Sequence, residues 1–412
     1  MINNANHEEY KLKNMFQYEK VAFFSFILLS LEYVIHYYIN IGQAPKILIY
    51  VNAIIAVFLP LYGIVTKKKT LSSYSCFLLF YYTVILLYTV VLALFSGRAS
   101  RDIVCITIYI QILDAILYQD LSLDFINKLF RSMAIIAFFG FLYSMSKISL
   151  NVSFAINRGY QYDEIFYYSS LFWFTTPYVF LSLLKRKDVL FATVSFSLYM
   201  VLELVIVKRI VLVTSLVTII VCLFILNSKK NKVKQVLSII TVLAFVFLVF
   251  RMTMWNSILT LFNSVLERTV EATENIGSFN RFEEAINFLK EASIIELFLG
   301  RGFGGTHMGL GSLSEALHVG WVNFILKGGI NLLFLFLIPY IKLINLLRIY
   351  NTLPEKVQFS IWYMIYMFPI LFLSNMHAFY PQLFLFVFCL IQVMNYKSST
   401  LDEGYNGLVG IT

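Results

Sequence analysis

The chain has 412 residues, 59% of them hydrophobic and only 13% charged, with a mean hydropathy of +0.78. A water-soluble domain of this size carries about 25% charge to cover its surface, so a soluble globular protein is excluded. The net charge of +9 does not point to nucleic acid, because the basic clusters fall between apolar runs, as membrane-orientation signals do.

A membrane helix needs about 20 mostly apolar residues, and in lipid the backbone must satisfy its own hydrogen bonds. Taken in order, the apolar runs predict spans over Val21–Ile41, Lys46–Val65, Tyr74–Phe95, Ile103–Tyr118, Leu129–Leu150, Glu164–Leu184, Val189–Val207, Ile210–Asn227, Val236–Trp255, His318–Ile341, Phe359–His377 and Pro381–Tyr396. The first run is too long for a signal-peptide core and lacks a small-residue cleavage site, so it is expected to remain as a span. The expected fold is an all-α polytopic membrane protein of about twelve transmembrane helices. It divides into an N-terminal membrane region (1–255, about nine spans), a large outer loop (256–317), and C-terminal spans with a short cytoplasmic tail (318–412).

With the N-terminus in the cytoplasm, Lys67-Lys68-Lys69, Lys185-Arg186-Lys187, Lys229-Lys230 with Lys232 and Lys234, and Lys342, Arg348 and Lys356 all fall inside. That is the positive-inside pattern, and it puts both termini in the cytoplasm. Arg98 with Arg101, and the pair Lys208-Arg209, fall outside. The four cysteines, Cys76, Cys105, Cys222 and Cys389, lie within apolar runs without ligand spacing, so neither disulfide nor metal site is expected. The chain shows no internal repeat, which argues against a transporter of two related halves.

The pair Lys208-Arg209 interrupts an apolar stretch. It reads either as a connection between helices or as an outward-facing anion site, since a guanidinium grips phosphate oxygens as a fork. In the loop, Asn280–Leu299 has helical apolar spacing and predicts an amphipathic helix at the membrane surface or over a cavity. Gly300-Arg301-Gly302-Phe303-Gly304-Gly305 follows. It is either a hinge or a loop whose backbone comes close to a substrate; no βαβ unit surrounds it, so a dinucleotide site is excluded. His318 opens the next span as a capping residue or a general base. Lys327 lies nine residues further on, roughly 13 Å deeper, where a lysine faces a water-filled cavity or snorkels. Glu32, His36, Asp114 and Glu203 are read as contacts between helices.

On these residues the chain resembles the O-antigen and capsular polysaccharide polymerases (Wzy type), in one superfamily with the O-antigen ligases. The matching features are Lys208-Arg209 opening a span, Arg281 followed by a helix and the turn Gly300-Arg301-Gly302-Phe303-Gly304, and His318-Val319-Gly320-Trp321 with Gly328-Gly329 about ten residues later. The chain departs from a common form of the pattern at Val319, where many relatives carry Asn.

The resemblance implies a GT-C-like, metal-independent glycosyltransferase of the bacterial cytoplasmic membrane, without cofactor. It would join undecaprenyl-pyrophosphate-linked repeat units, donor and acceptor both lipid-borne, into O-antigen or capsule at the outer face. His318, Arg281 and Arg209 would be catalytic, the arginines holding the pyrophosphate and His318 accepting the acceptor proton. Lys208, Arg301, Gly302, Gly304, Lys327 and Glu283 would contact pyrophosphate or glycan. Glu283 or Glu284 is the alternative base. A chain-length regulator and a flippase are the partners such an enzyme implies. The rival readings are a ligase that moves the finished glycan to another acceptor, and a lipid-linked glycan flippase.

Overall fold

The computed structural model describes residues 19–27, 54, 58, 61–65, 71–95, 104–147, 175–185, 187–188, 190–192, 194–195, 277–303, 305–308, 313–314, 317, 319–373 and 382–397. These are mostly helical. The helices are α1 (Ser73–Phe95), α2 (Val104–Leu117), α3 (Leu123–Lys147), α4 (Thr175–Lys185), α5 (Gly277–Glu291), α6 (Ile294–Leu299), α7 (Gly320–Leu347), α8 (Glu355–Leu373) and α9 (Gln382–Asn395). A two-stranded antiparallel hairpin, β1 (His307–Met308) with β2 (Leu313–Ser314), pairs His307 with Ser314 and Met308 with Leu313.

Two of these helices, the first 20 residues of α1 and all of α7, are long and apolar enough to cross a membrane. The spans expected over Glu164–Leu184 and Val189–Val207 are described only in part, and those over Ile210–Asn227 and Val236–Trp255 lie outside the described residues. Helix α3 starts six residues before the expected Leu129, because the Ser122 hydroxyl accepts from the Phe125 amide (3.1 Å) and caps it. Helix α8 likewise starts at Glu355, directly after Pro354.

The core is centred on α9. Every residue from Leu383 to Ile391 is buried, as expected of a helix apolar on all sides. It packs on α2, α7 and α8, with Phe386 stacked on Phe336 at 5.7 Å and Phe384 against Phe26 at 4.6 Å. The C-terminal end of α9 is held by cations and amides. Lys342 donates to the carbonyls of Met394 (2.8 Å) and Tyr396 (2.7 Å), and Lys356 and Gln392 both donate to the Gln119 carbonyl. A lysine on the last carbonyls satisfies acceptors that the helix cannot. Lys185 pairs with Asp124, five residues beyond Gln119, so Lys185, Lys342 and Lys356 gather at one end of the bundle.

Helix α6 packs on α7 and α1 packs on α7. Beside them a smaller core joins α5 to the start of α7 through Ala285, Phe288, Leu317, Val319, Val322, Ile325 and Leu326.

Candidate functional site

The polar segment expected to form one helix over Asn280–Leu299 forms two. Ser293 breaks it and caps α6: its hydroxyl accepts from the Glu296 amide (3.2 Å), and the Glu296 carboxylate accepts from the Ser293 amide (2.9 Å). This reciprocal box is the N-terminal signature of a new helix. The second carboxylate oxygen of Glu296 takes Nε of Arg301 at 2.9 Å. Burial pushes the Glu296 carboxyl up, but the Ser293 amide and the Arg301 guanidinium outweigh it and hold it below its usual 4.5.

After α6 the chain makes a turn that glycine alone permits. Gly300 and Gly302 have φ of +74° and +81°, a region closed to most L-residues. A Cβ on Gly300 would stand 2.5 Å from the Gly328 nitrogen and 2.8 Å from that of Gly329. The touching partner is the break in α7, where Gly328 and Gly329 leave helical geometry (φ −144° and +70°). The interruption frees carbonyls, which the turn and α1 use. The Arg301 amide donates to Leu326 O (2.6 Å) and the Tyr81 hydroxyl to Gly328 O (2.5 Å), sharing its proton with Phe298 O of α6 at 3.3 Å; Asn331 also donates to Phe298 O.

The turn is then plugged into the core. Phe303 is buried and stacks on Tyr82 at 5.4 Å. Its amide donates to the Thr89 hydroxyl (2.9 Å), which itself donates to Ile85 O. Gly302 lies where a Cβ would strike Thr89.

Two cations converge on this turn. Arg301 Nη1 donates to Thr306 O (2.9 Å) and Lys327 Nζ donates to Gly305 O (3.3 Å), so adjacent carbonyls each take one. Phe288 lies under the Arg301 guanidinium, 5.1 Å from its carbon, a cation–π contact. Nη2 of Arg301 makes no hydrogen bond among the described residues. One residue beyond Thr306, His307 is buried and its Nε2 lies 2.7 Å from Glu284 Oε1, with side chains 2% and 3% exposed. Nδ1 of His307 is also buried and has no partner among the described residues.

The residues expected at the site are distributed as follows. Arg301, Gly302 and Lys327 come together at the turn. Glu283 is exposed, whereas Glu284 beside it turns inward. Arg281 lies near the N-terminal end of α5. Lys208, Arg209, Gly304 and His318 lie outside the described residues. Leu317, the residue before His318, is fixed at both its amide and its carbonyl by the Asn323 side chain (2.8 and 2.9 Å).

The sequence reading did not single out His307, Thr89, Tyr81 or Asn331. His307 had a usable signal, as the one histidine in 256–317, two residues after Gly305. Thr89, Tyr81 and Asn331 sit in apolar helices and carry no such mark. Among the described residues no three His, Cys, Asp or Glu side chains gather to hold a metal ion. Chemically, the arrangement offers a half-neutralised guanidinium, an ammonium from α7 and an aromatic face from α5 around the turn, with a buried carboxylate–imidazole pair between α5 and β1. No family model, curated protein or solved structure matches the chain.

Proposed function

We propose that this protein is a multi-pass protein of the bacterial cytoplasmic membrane, with both termini in the cytoplasm, that polymerises undecaprenyl-pyrophosphate-linked repeat units into a surface polysaccharide. The membrane reading is supported by the apolar windows of α1 and α7, of which only 33% is buried. A soluble protein would hide such helices; lipid tolerates them exposed. It is also supported by the gathering of Lys185, Lys342 and Lys356 at one end, the cytoplasmic end by the positive-inside rule.

The observation that carries the catalytic reading is the convergence of Arg301 and Lys327 on the adjacent carbonyls of Thr306 and Gly305. The leaving group in this transfer is a lipid pyrophosphate, and its departure needs preorganised cations where negative charge develops. Arg301 is held by Glu296 through Nε and by the Thr306 carbonyl through Nη1, which leaves Nη2 as the donor for a phosphate oxygen. Arg209 and Arg281 would complete the pyrophosphate grip and His318 would take the acceptor proton. The sugar hydroxyl then attacks the donor's anomeric carbon as the bond to the pyrophosphate oxygen breaks.

The test in cells is deletion of the gene from its host. Surface glycans limited to one repeat unit, restored to polymer by the wild-type gene and not by Arg301→Ala, are the expected result. Full-length polymer in the deletion strain overturns the reading. Polymer that forms but stays on its lipid carrier replaces it with the ligase reading.

A further inference from the structure

Helix α6 is inside out for a segment in water. Its single charged residue, Glu296, is withdrawn into the pair with Arg301, the two side chains being 12% and 15% exposed. Ile294, Ile295 and Phe298 are instead 75%, 63% and 53% exposed. A polar outer loop has no reason to reverse its faces this way, since exposing a large apolar side chain to water costs roughly 1.5–3 kcal/mol relative to burial.

The hydrogen bonds of α6 also fix its depth. Phe298 O is reached by Tyr81, fourteen residues before the Phe95 end of α1, and by Asn331, eleven residues after the Gly320 start of α7. At 1.5 Å per residue these are about 21 Å and 16 Å from the helix ends. The hydrocarbon core is about 30 Å thick. Two helices running in opposite directions thus put the end of α6 well below the level at which an outer loop would lie.

The exposed face of α6 is continuous with one on α7. Phe334, Ile338 and Ile341 are exposed at a spacing of three or four residues. Asn331, at the upper end of that stripe, carries the bond to Phe298.

We propose that α6 and the turn at Gly300–Phe303 form a re-entrant segment that reaches about to the bilayer midplane, its Ile294–Ile295–Phe298 face packed against acyl chains. Arg301 then sits below the membrane surface, and an anionic head group reaches it sideways from the lipid phase. This rests on the membrane-spanning reading of α1 and α7. The turn meets the requirement that irregular backbone at membrane depth be satisfied by protein: the Arg301 amide, the Phe303 amide and the Phe298 and Gly328 carbonyls all have partners.

The experiment uses the full chain in lipid nanodiscs, with native cysteines replaced and a nitroxide placed at Ile295→Cys, Phe334→Cys or Glu283→Cys. Collision with oxygen reports lipid, and collision with a nickel chelate reports water. Labels at 295 and 334 are expected to favour oxygen several-fold over the label at 283. A label at 295 that favours nickel while 334 favours oxygen overturns the re-entrant segment and leaves the membrane reading intact. Nickel preference at all three positions overturns the membrane reading itself. A label at 295 shielded from both probes means that a protein covers this face, and also overturns the proposal. Ile294→Cys repeats the measurement should labelling at 295 unfold the segment.

Discussion

Gly300 and Gly328 meet backbone to backbone: a β-carbon on Gly300 would stand 2.5 Å from the Gly328 nitrogen and 2.6 Å from the Lys327 carbonyl carbon. A turn in a polar segment and a break in an apolar helix are therefore one feature. Each supplies the room that the other needs, and Arg301 and Lys327 flank the contact on its two strands of chain.

Alanine at Gly300 or Gly329 is expected to undock the turn. Both have positive φ, where a side chain costs roughly 1–2 kcal/mol per residue, and overpacking adds about 1–3 kcal/mol. Thermal unfolding followed by a thiol-reactive dye at Cys389, which is buried in the core, should shift downward for both variants. Gly63→Ala is the comparison, because its Cβ would meet nothing closer than 3.4 Å.

Arg301→Ala should lower transferase activity by about 10²–10³-fold, the usual loss on removing one preorganised donor. Arg301→Lys should recover little, because an ammonium cannot hold Glu296, the Thr306 carbonyl and an anion in one plane. Turnover of lipid-linked substrate by the purified variants measures both, and Lys equal to Arg would contradict the assignment.

Glu284→Ala leaves His307 buried without its partner, which costs about 1–3 kcal/mol. Glu284→Gln keeps an acceptor for Nε2 and should lose less. Exposed Glu283→Ala should stay within about 0.5 kcal/mol of wild type. The unfolding midpoints of the three variants rank these effects.

Glu296 gives the docked turn a pH dependence of known sign. Its carboxyl is held below its usual 4.5, so the stabilisation is complete above the unfolded-state value and is lost as pH falls through the lowered one. Protection factors over 293–303, taken relative to the intrinsic exchange rate at each pH, should therefore be flat near neutrality and fall on acidification. Glu296→Gln should abolish that acid-induced step.

Much of this was legible in sequence. Apolar runs located α1, α2, α8 and α9 to within a few residues and the start of α7, which runs six residues beyond the expected Ile341. The glycine-rich turn, expected as a hinge or as backbone close to a substrate, instead meets the break in α7. The split between α5 and α6 was not read, although Ser293 and Glu296 stand at capping-box spacing, because the apolar periodicity runs through them. From sequence Glu283 and Glu284 stand as equivalent candidates for the alternative base, and only the packing of α5 through Ala285 and Phe288 turns Glu284 inward toward His307 while Glu283 stays exposed. Contacts such as Tyr81 to Gly328 join residues 247 positions apart, which no local pattern encodes.

The most direct test of the central claim is polymerisation by purified protein in nanodiscs, supplied with the undecaprenyl-pyrophosphate repeat unit of its host and no added metal. A ladder of increasing glycan length, lost in Arg281→Ala, Arg301→Ala and His318→Ala, is the predicted result. Folded protein that leaves the repeat unit unextended would contradict it.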